Sequence, residues 1–193
     1  TFPHKVSLES DEFLELINVS DEVVDLTGLS FTNGIAFTFP EATLLSPGER
    51  TLIVENITAF EIAYGLGLPI AGSFANGTRL SNGGERITLL ARDGSTISDF
   101  RYRDSHPWPQ APDQTGQSLI HVAPGESSPS NPLSWRASIL PGGNPSSSDS
   151  ISFLDEESQS ILNYALTDNS EFQFSVVEDL SALSFLTRSA ADD

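Results

Sequence analysis

The segment NGIAFTFP, residues 33–40, gives the strongest indication of the fold in this sequence. Its opening asparagine–glycine pair tolerates positive φ at both positions, which predicts a two-residue type I′ hairpin turn. After the turn, Ile35, Phe37 and Phe39 alternate with smaller or polar residues, and this alternation indicates a strand with one buried face. The segment therefore predicts antiparallel strands packed around an apolar core.

Short apolar runs separated by turn residues continue on both sides of this segment, at residues 12–17, 23–26, 51–54, 86–90, 96–102 and 118–122. Strands this short, with turns roughly every 8–12 residues, are typical of an all-β sandwich or barrel built from antiparallel pairs. One short helix is predicted after residue 57. Thr58 and Glu61 have the spacing of a capping box, and Gly65 is a stop signal.

The composition favours a folded, acidic protein. The chain has 193 residues, of which 38% are hydrophobic, and 27 acidic against 9 basic residues give a net charge of −18. The hydrophobic fraction is too high for a disordered chain. The length suits one domain with an appendage. We expect the sandwich to occupy residues 1–148.

The composition changes after residue 122. Residues 123–150 are rich in serine, proline, glycine and asparagine, which predicts mostly loop or linker. Residues 149–193 are interpreted as a linker and a truncated C-terminal segment. Within it we predict a helix at about 155–166 and strands at about 171–177 and 182–188, a short helix-plus-strand appendage to the sandwich.

Several functional classes are excluded or disfavoured. The chain has no cysteine, so disulfides and thiolate metal sites are excluded. The negative charge disfavours nucleic acid, because phosphate contacts need lysine or arginine. No apolar run is long enough to predict membrane insertion. We predict no cofactor, and we expect the fragment to be monomeric.

Two local clusters suggest binding. Seven acids between residues 9 and 25 indicate a solvated acidic face, with a calcium site at Asp11, Asp21 and Asp25 as the alternative. The segment His106, Pro107, Trp108 and Pro109 is the strongest candidate for an exposed apolar feature, and its four residues are interaction candidates, although packing over the end of the sandwich is the favoured interpretation.

A nucleophilic site is disfavoured. Asp104, Ser105 and His106 have the residue types of a catalytic triad, but neighbours in sequence rarely point at a common centre. His121 lies in an alternating run and is interpreted as a strand-face residue. We therefore predict no catalytic residues and no enzyme.

Residues 10–145 resemble the lamin tail domain family, an immunoglobulin-like β-sandwich. The blocks that carry the resemblance are EFLELIN (12–18), VDLTGLS (24–30), LLSPGE (44–49), LSNGGERITL (80–89), DG (93–94), SHPWP (105–109) and NPLSWR (131–136). Leu29 stands where the family usually has tryptophan. The block LNYAL (162–166) is similar to a segment that often follows the domain in large bacterial secreted and surface proteins.

The resemblance implies a non-catalytic spacer, adhesion or scaffold module in a larger extracellular or cell-surface protein. Its partner would be a protein or a surface polymer. The alternative is an accessory targeting domain of a secreted multidomain enzyme, stabilised by calcium. Related regions commonly open with an aspartate-rich calcium loop, but SISFLD (150–155) stands at that position, so calcium is not carried over there.

Overall fold

The structure, a computed structural model, describes residues 11–112 and 116–149. The chain divides into two compact units, Thr1–Ser148 and Asp149–Asp193. The C-terminal helix and strands predicted from the sequence lie outside the described residues. The described strands are β1 (Phe13–Ile17), β2 (Val24–Asp25), β3 (Ser30–Asn33), β4 (Phe37–Thr38), β5 (Leu44–Leu45), β6 (Arg50–Val54), β7 (Ile70–Ser73), β8 (Arg86–Leu90), β9 (Thr96–Arg101), β10 (Gln117–His121) and β11 (Trp135–Pro141). Helix α1 spans Ile57–Tyr64, and a 3-10 helix spans Pro132–Ser134.

Two sheets form the layers of the sandwich. One has the strand order β1-β6-β7 and the other β4-β3-β8-β9, while β2-β5 and β10-β11 form two-stranded sheets. Side chains from both large sheets meet in one buried cluster, in which Ile53 of β6 lies with Phe31 of β3 and Ile87 of β8. The all-β sandwich predicted from the sequence is confirmed.

The alternation that predicts a buried face is confirmed. Ile35, Phe37 and Phe39 are 1%, 9% and 2% exposed, whereas Thr38 between them is exposed. The rings of Phe37 and Phe39 pack edge to face with their centroids 5.0 Å apart. This strand therefore supplies the centre of the core.

The turn before that strand differs from the prediction. Gly34 has φ +80°, but Asn33 belongs to β3 and does not have positive φ. The hairpin pairs Phe31 with Phe37, so its connection is longer than the predicted two residues. Asn33 instead pairs with Thr88 of β8, and its Nδ2 donates to the Thr88 hydroxyl at 3.1 Å. Pairing with a third strand overrides the local turn preference.

The prediction of antiparallel pairs throughout is wrong for β6 and β7, which pair in parallel. A parallel pair needs a crossover connection, and α1 supplies it. Leu52 and Val54 of β6 pack with Phe60 of α1 in a second buried cluster, whereas Ile53 between them faces the main core. The helix therefore covers the outer face of the β1-β6-β7 sheet.

The helix starts earlier than the capping-box prediction places it. The N-cap is Asn56, whose Oδ1 accepts the Ala59 backbone N–H at 3.0 Å, so the predicted Thr58 cap is wrong. Asn56 has an extended backbone where the chain leaves β6, which is the geometry that an N-cap needs. The predicted end at Gly65 is confirmed, with φ +96° and an N–H that donates to the Glu61 carbonyl.

The region predicted as mostly loop contains β11, so the prediction is wrong for residues 135–141. This strand pairs with β10, with Trp135 opposite His121 and Ala137 opposite Leu119. The pairing gives hydrogen-bond partners to backbone groups of this segment, and the serine- and proline-rich composition does not predict those partners. Within the described part of the chain, no helix has the length and apolar character needed to cross a bilayer.

Candidate interaction site

One end of the sandwich is built from three loops, called here the loop end: residues 18–23, 46–49 and 122–134. Asn18, which is 5% exposed, joins the first two loops. Its backbone N–H donates to the Glu49 carbonyl at 3.0 Å, and its carbonyl accepts from Gly48 at 2.9 Å. Its Nδ2 donates to the carbonyls of Glu22 (2.7 Å) and Leu45 (2.8 Å). The polar side chain is thus directed inwards, at the chain's own backbone.

Apolar side chains at the loop end face outwards. Val19, Val122 and Leu133 are 54%, 50% and 79% exposed. Val122 donates its N–H to the Ser134 carbonyl at 2.9 Å, which places it beside Leu133. Val19 belongs to the same surface, because its Cγ2 lies 3.0 Å from the position that a Cβ on Gly125 would occupy.

Beneath the third loop lies an aromatic cluster. Trp135 stacks on Phe100 of β9 with ring centroids 5.4 Å apart, and the rings of Trp108 and His121 approach it at 5.8 and 4.9 Å. The Trp135 indole N–H donates to the Pro129 carbonyl at 2.9 Å. This cluster fixes the base of the loop to the four-stranded sheet.

The predicted contact segment has a different role for its largest side chain. Trp108 is 6% exposed, so the expectation of an exposed apolar feature is wrong for this side chain, which packs against Trp135 as the other interpretation predicts. His106 and Pro107 are exposed and Pro109 is half-buried. Burial of the large apolar indole against Trp135 is favourable, so Trp108 anchors the segment. A contact role for the other three residues stays a prediction.

His121 lies on β10, in the alternating strand that the sequence predicts. Its Nε2 is 3.2 Å from the Ser127 hydroxyl. Burial lowers the pKa of His121, so the ring is neutral near neutral pH. It adds no positive charge to this part of the surface.

The three calcium candidates lie apart. Asp11 precedes β1 and Asp21 follows it, so the strand separates them. The Asp25 carboxylate accepts the Thr27 N–H at 2.9 Å and pairs with Arg92 at 2.7 Å. These bonds, first those with Thr27, lower the pKa of Asp25. Among residues 11–112 and 116–149, no three acidic or histidine side chains gather as a metal site requires.

We therefore expect calcium to act on this protein only weakly. Adding about 1 mM calcium should change the melting temperature by less than about 2 °C, since a bound ion would stabilise the fold by mass action and a solvated acidic face would not. Differential scanning calorimetry checks this, with magnesium at the same concentration as the control. A larger, calcium-specific shift that Asp21→Asn abolishes would contradict the expectation.

Near the start of β1, away from the loop end, three glutamates bind three consecutive residues. Glu55 pairs with Arg79 at 2.7 Å. Glu12 accepts the Leu80 N–H at 2.8 Å, and Glu85 accepts the Ser81 N–H at 2.7 Å. Burial raises the pKa of Glu12, and the charges of Glu55 and Glu85 add to the effect. Oε2 of Glu55 is buried and accepts no hydrogen bond from the described residues. The negative charges are therefore incompletely compensated.

Glu12→Gln should change the pH dependence of stability. A raised folded-state pKa means that the ionised form of Glu12 opposes folding. The protonated form favours folding, and this contribution to stability is lost as the pH rises through the folded-state pKa. Glutamine keeps a carbonyl acceptor for the Leu80 N–H without ionising. In urea unfolding, the free energy of unfolding of the variant minus that of the unchanged protein should be more positive at about pH 7 than at about pH 4.

Asp99→Asn is the control of opposite sign. A hydrogen bond from Arg86 is the largest cause that lowers the pKa of Asp99, so its contribution is present at neutral pH and lost as the pH falls. This variant should lose relative stability at neutral pH. Equal differences at both pH values for Glu12→Gln would contradict the assignment.

An open groove of about 830 Å³ runs beside β5 and β6. Of the described residues that line it, only Glu49 and Arg50 are charged. Arg50 forms an ion pair with Glu15, and Glu49 accepts the Ser46 N–H at 2.7 Å. The charged groups of the groove thus bind neighbouring parts of the chain.

The two facing sheets and the loops held at one end define an immunoglobulin-like module. The family model of the Lamin Tail Domain matches residues 4–104, and the protein belongs to this family. The resemblance found in the sequence is confirmed, and the family is one of generally non-enzymatic immunoglobulin-like domains. The match ends before β10 and β11. No curated protein matches the chain.

Two features of the site are not predicted from the sequence. Asn18 stands in the block EFLELIN, but its role in joining the loops depends on Leu45, which is distant in the chain. The contact between Trp108 and Trp135 likewise joins distant residues. The only local signal for the role of Asn18 is a polar residue at the end of a predicted strand. The only local signal for the tryptophan contact is the presence of two isolated tryptophans.

Proposed function

We propose that this domain is a non-catalytic interaction module of a larger extracellular or cell-surface protein, and that it binds a protein or a surface polymer. Membership in the Lamin Tail Domain family supports the module and its lack of catalytic machinery. The block LNYAL and the acidic composition support the location, because acidic surfaces keep exposed modules soluble.

The observation that carries the proposal is the construction of the loops. Asn18 and Glu49 bind backbone groups of their own loops, whereas Val19, Val122 and Leu133 are left at the surface. A catalytic site needs the reverse arrangement, with polar groups converging on a space where a substrate fits. Exposed apolar side chains on firmly held loops are typical of a surface that contacts another molecule.

The location is tested on intact cells of the source. An antibody raised against residues 11–149 should label intact cells as strongly as lysed cells, if the domain lies outside. A cytoplasmic protein detected in parallel controls for leakage. Labelling only after lysis would overturn the proposal of an extracellular or surface module.

A further inference from the structure

The loop end combines exposed apolar side chains with exposed carboxylates, and none of the ion pairs between described residues includes these carboxylates. Its four exposed carboxylates are Asp21, Glu22, Glu49 and Glu126. The three loops that form it contain no lysine or arginine. Two arginines flank these loops in the sequence: Arg50 forms an ion pair with Glu15 on β1, and Arg136 donates to the Ala137 carbonyl at 3.0 Å. The charge of this surface is therefore available to a partner.

Two of the carboxylates lie on the loops that carry the apolar residues. Glu22 belongs to the loop that carries Val19, and Asn18 holds that loop to the turn of Glu49. Glu126 follows Gly125, where an added Cβ would lie 3.0 Å from Val19 Cγ2, and its N–H donates to the carbonyl of Ala123, three residues earlier. Glu22 and Glu126 therefore lie on the same two loops as Val19, Val122 and Leu133.

From this arrangement we infer that the loop end docks a basic amphipathic protein segment, whose apolar side chains cover Val19, Val122 and Leu133 while its lysine or arginine side chains pair with Glu22 and Glu126. The inference rests on the proposed interaction function and specifies the partner's chemistry. Charge complementarity selects this occupant, because an interface forms where a positive patch meets a negative one.

The same charge argues against other occupants. A second copy of this chain would bring carboxylates against carboxylates, which costs free energy at short distance. Nucleic acid and anionic lipid would be repelled in the same way. An apolar partner without cations would leave the carboxylates beside its surface without compensation.

The opposite end of the sandwich provides a matched control surface. Asp11 precedes β1, whose other end leads into the loop end, and Glu61 lies on α1, which follows the end of β6 away from the loop end. Ile62 of α1 is 70% exposed, so this surface also offers an apolar side chain beside acids. A peptide that binds any acidic and apolar surface would respond to changes at both ends.

The experiment measures binding of the full chain to a labelled synthetic leucine–lysine amphipathic peptide by fluorescence anisotropy at low ionic strength. We expect saturable binding that weakens as salt is added, because the charges are exposed. A leucine–glutamate peptide of the same length should not bind. An oligolysine peptide should bind more weakly, since it lacks the apolar contacts.

Glu22→Lys combined with Glu126→Lys should weaken binding about tenfold, and Leu133→Gln about fivefold, since each removes one half of the recognition. The matched variants Asp11→Lys with Glu61→Lys, and Ile62→Gln, should change it less than about twofold. All but Asp11 and Glu61, which are half-buried, are exposed positions, and circular dichroism checks that each variant folds.

Equal weakening by both sets of variants, equal binding of the glutamate peptide, or absence of saturable binding would overturn the inference. Self-association of the chain through the loop end would also overturn it. These outcomes are distinct from failure of the proposed function, because the antibody test of location does not depend on the peptide.

Discussion

Trp108→Ala should lower the free energy of unfolding by about 3 kcal/mol or more, the usual cost of removing a buried large aromatic side chain. Trp108 is 6% exposed and its ring lies 5.8 Å from that of Trp135, so alanine would leave a cavity beside the aromatic cluster. The loss should also loosen the third loop of the loop end, because Trp135 lies at its base. Urea unfolding followed by far-ultraviolet circular dichroism measures the change.

His106→Ala is the matched control, since His106 is exposed two residues away in the same segment. We expect it to change stability by less than about 0.5 kcal/mol, as surface substitutions usually do. A small effect of Trp108→Ala would mean that the indole contributes little to the packing and would contradict this assignment. Equal and large effects of both variants would point to general fragility of the segment.

Asn18→Ala should destabilise the fold by about 2 kcal/mol, because it removes a donor from one buried and one partly buried carbonyl. These are the carbonyls of Glu22 and Leu45, which accept from Asn18 Nδ2. Its Oδ1 also accepts from the backbone N–H and hydroxyl of Ser20, at 3.0 and 2.8 Å. We expect the variant to bind the leucine–lysine peptide more weakly as well, since the first loop would lose its position.

Asn82→Ala provides the comparison, because Asn82 is exposed in the turn before β8. It should change the free energy of unfolding by less than about 0.5 kcal/mol. Asn18→Asp should resemble Asn18→Ala or exceed it, since a carboxylate oxygen would replace the donor that faces two carbonyls. Stability equal to that of the unchanged protein in either Asn18 variant would contradict the role of this side chain.

The fold class is readable from local pattern. The alternation of Ile35, Phe37 and Phe39 decides which face of the strand is buried, because successive side chains of a strand point to opposite faces. That prediction is confirmed by the burial of all three residues. The stop at Gly65 is equally local, since positive φ suits glycine.

The errors arise where a distant segment competes with a local preference. Asn33 and Gly34 favour a tight turn, but β8 supplies a pairing partner for Asn33. The surroundings of Asp25 are likewise set by a distant residue, because Arg92, far along the chain, pairs with its carboxylate. Local sequence patterns do not predict such contacts, because they do not show which distant residues are close in space.

The family, the strand-rich sandwich and the acidic character of the protein follow from residue types and short spacings, which act between neighbours in the chain. The parallel pair of β6 and β7, the burial of Trp108 and the joining of two loops by Asn18 are properties of the tertiary structure alone. Each depends on which remote segments compete best for the same backbone groups and apolar area, and only the folded chain brings those competitors together.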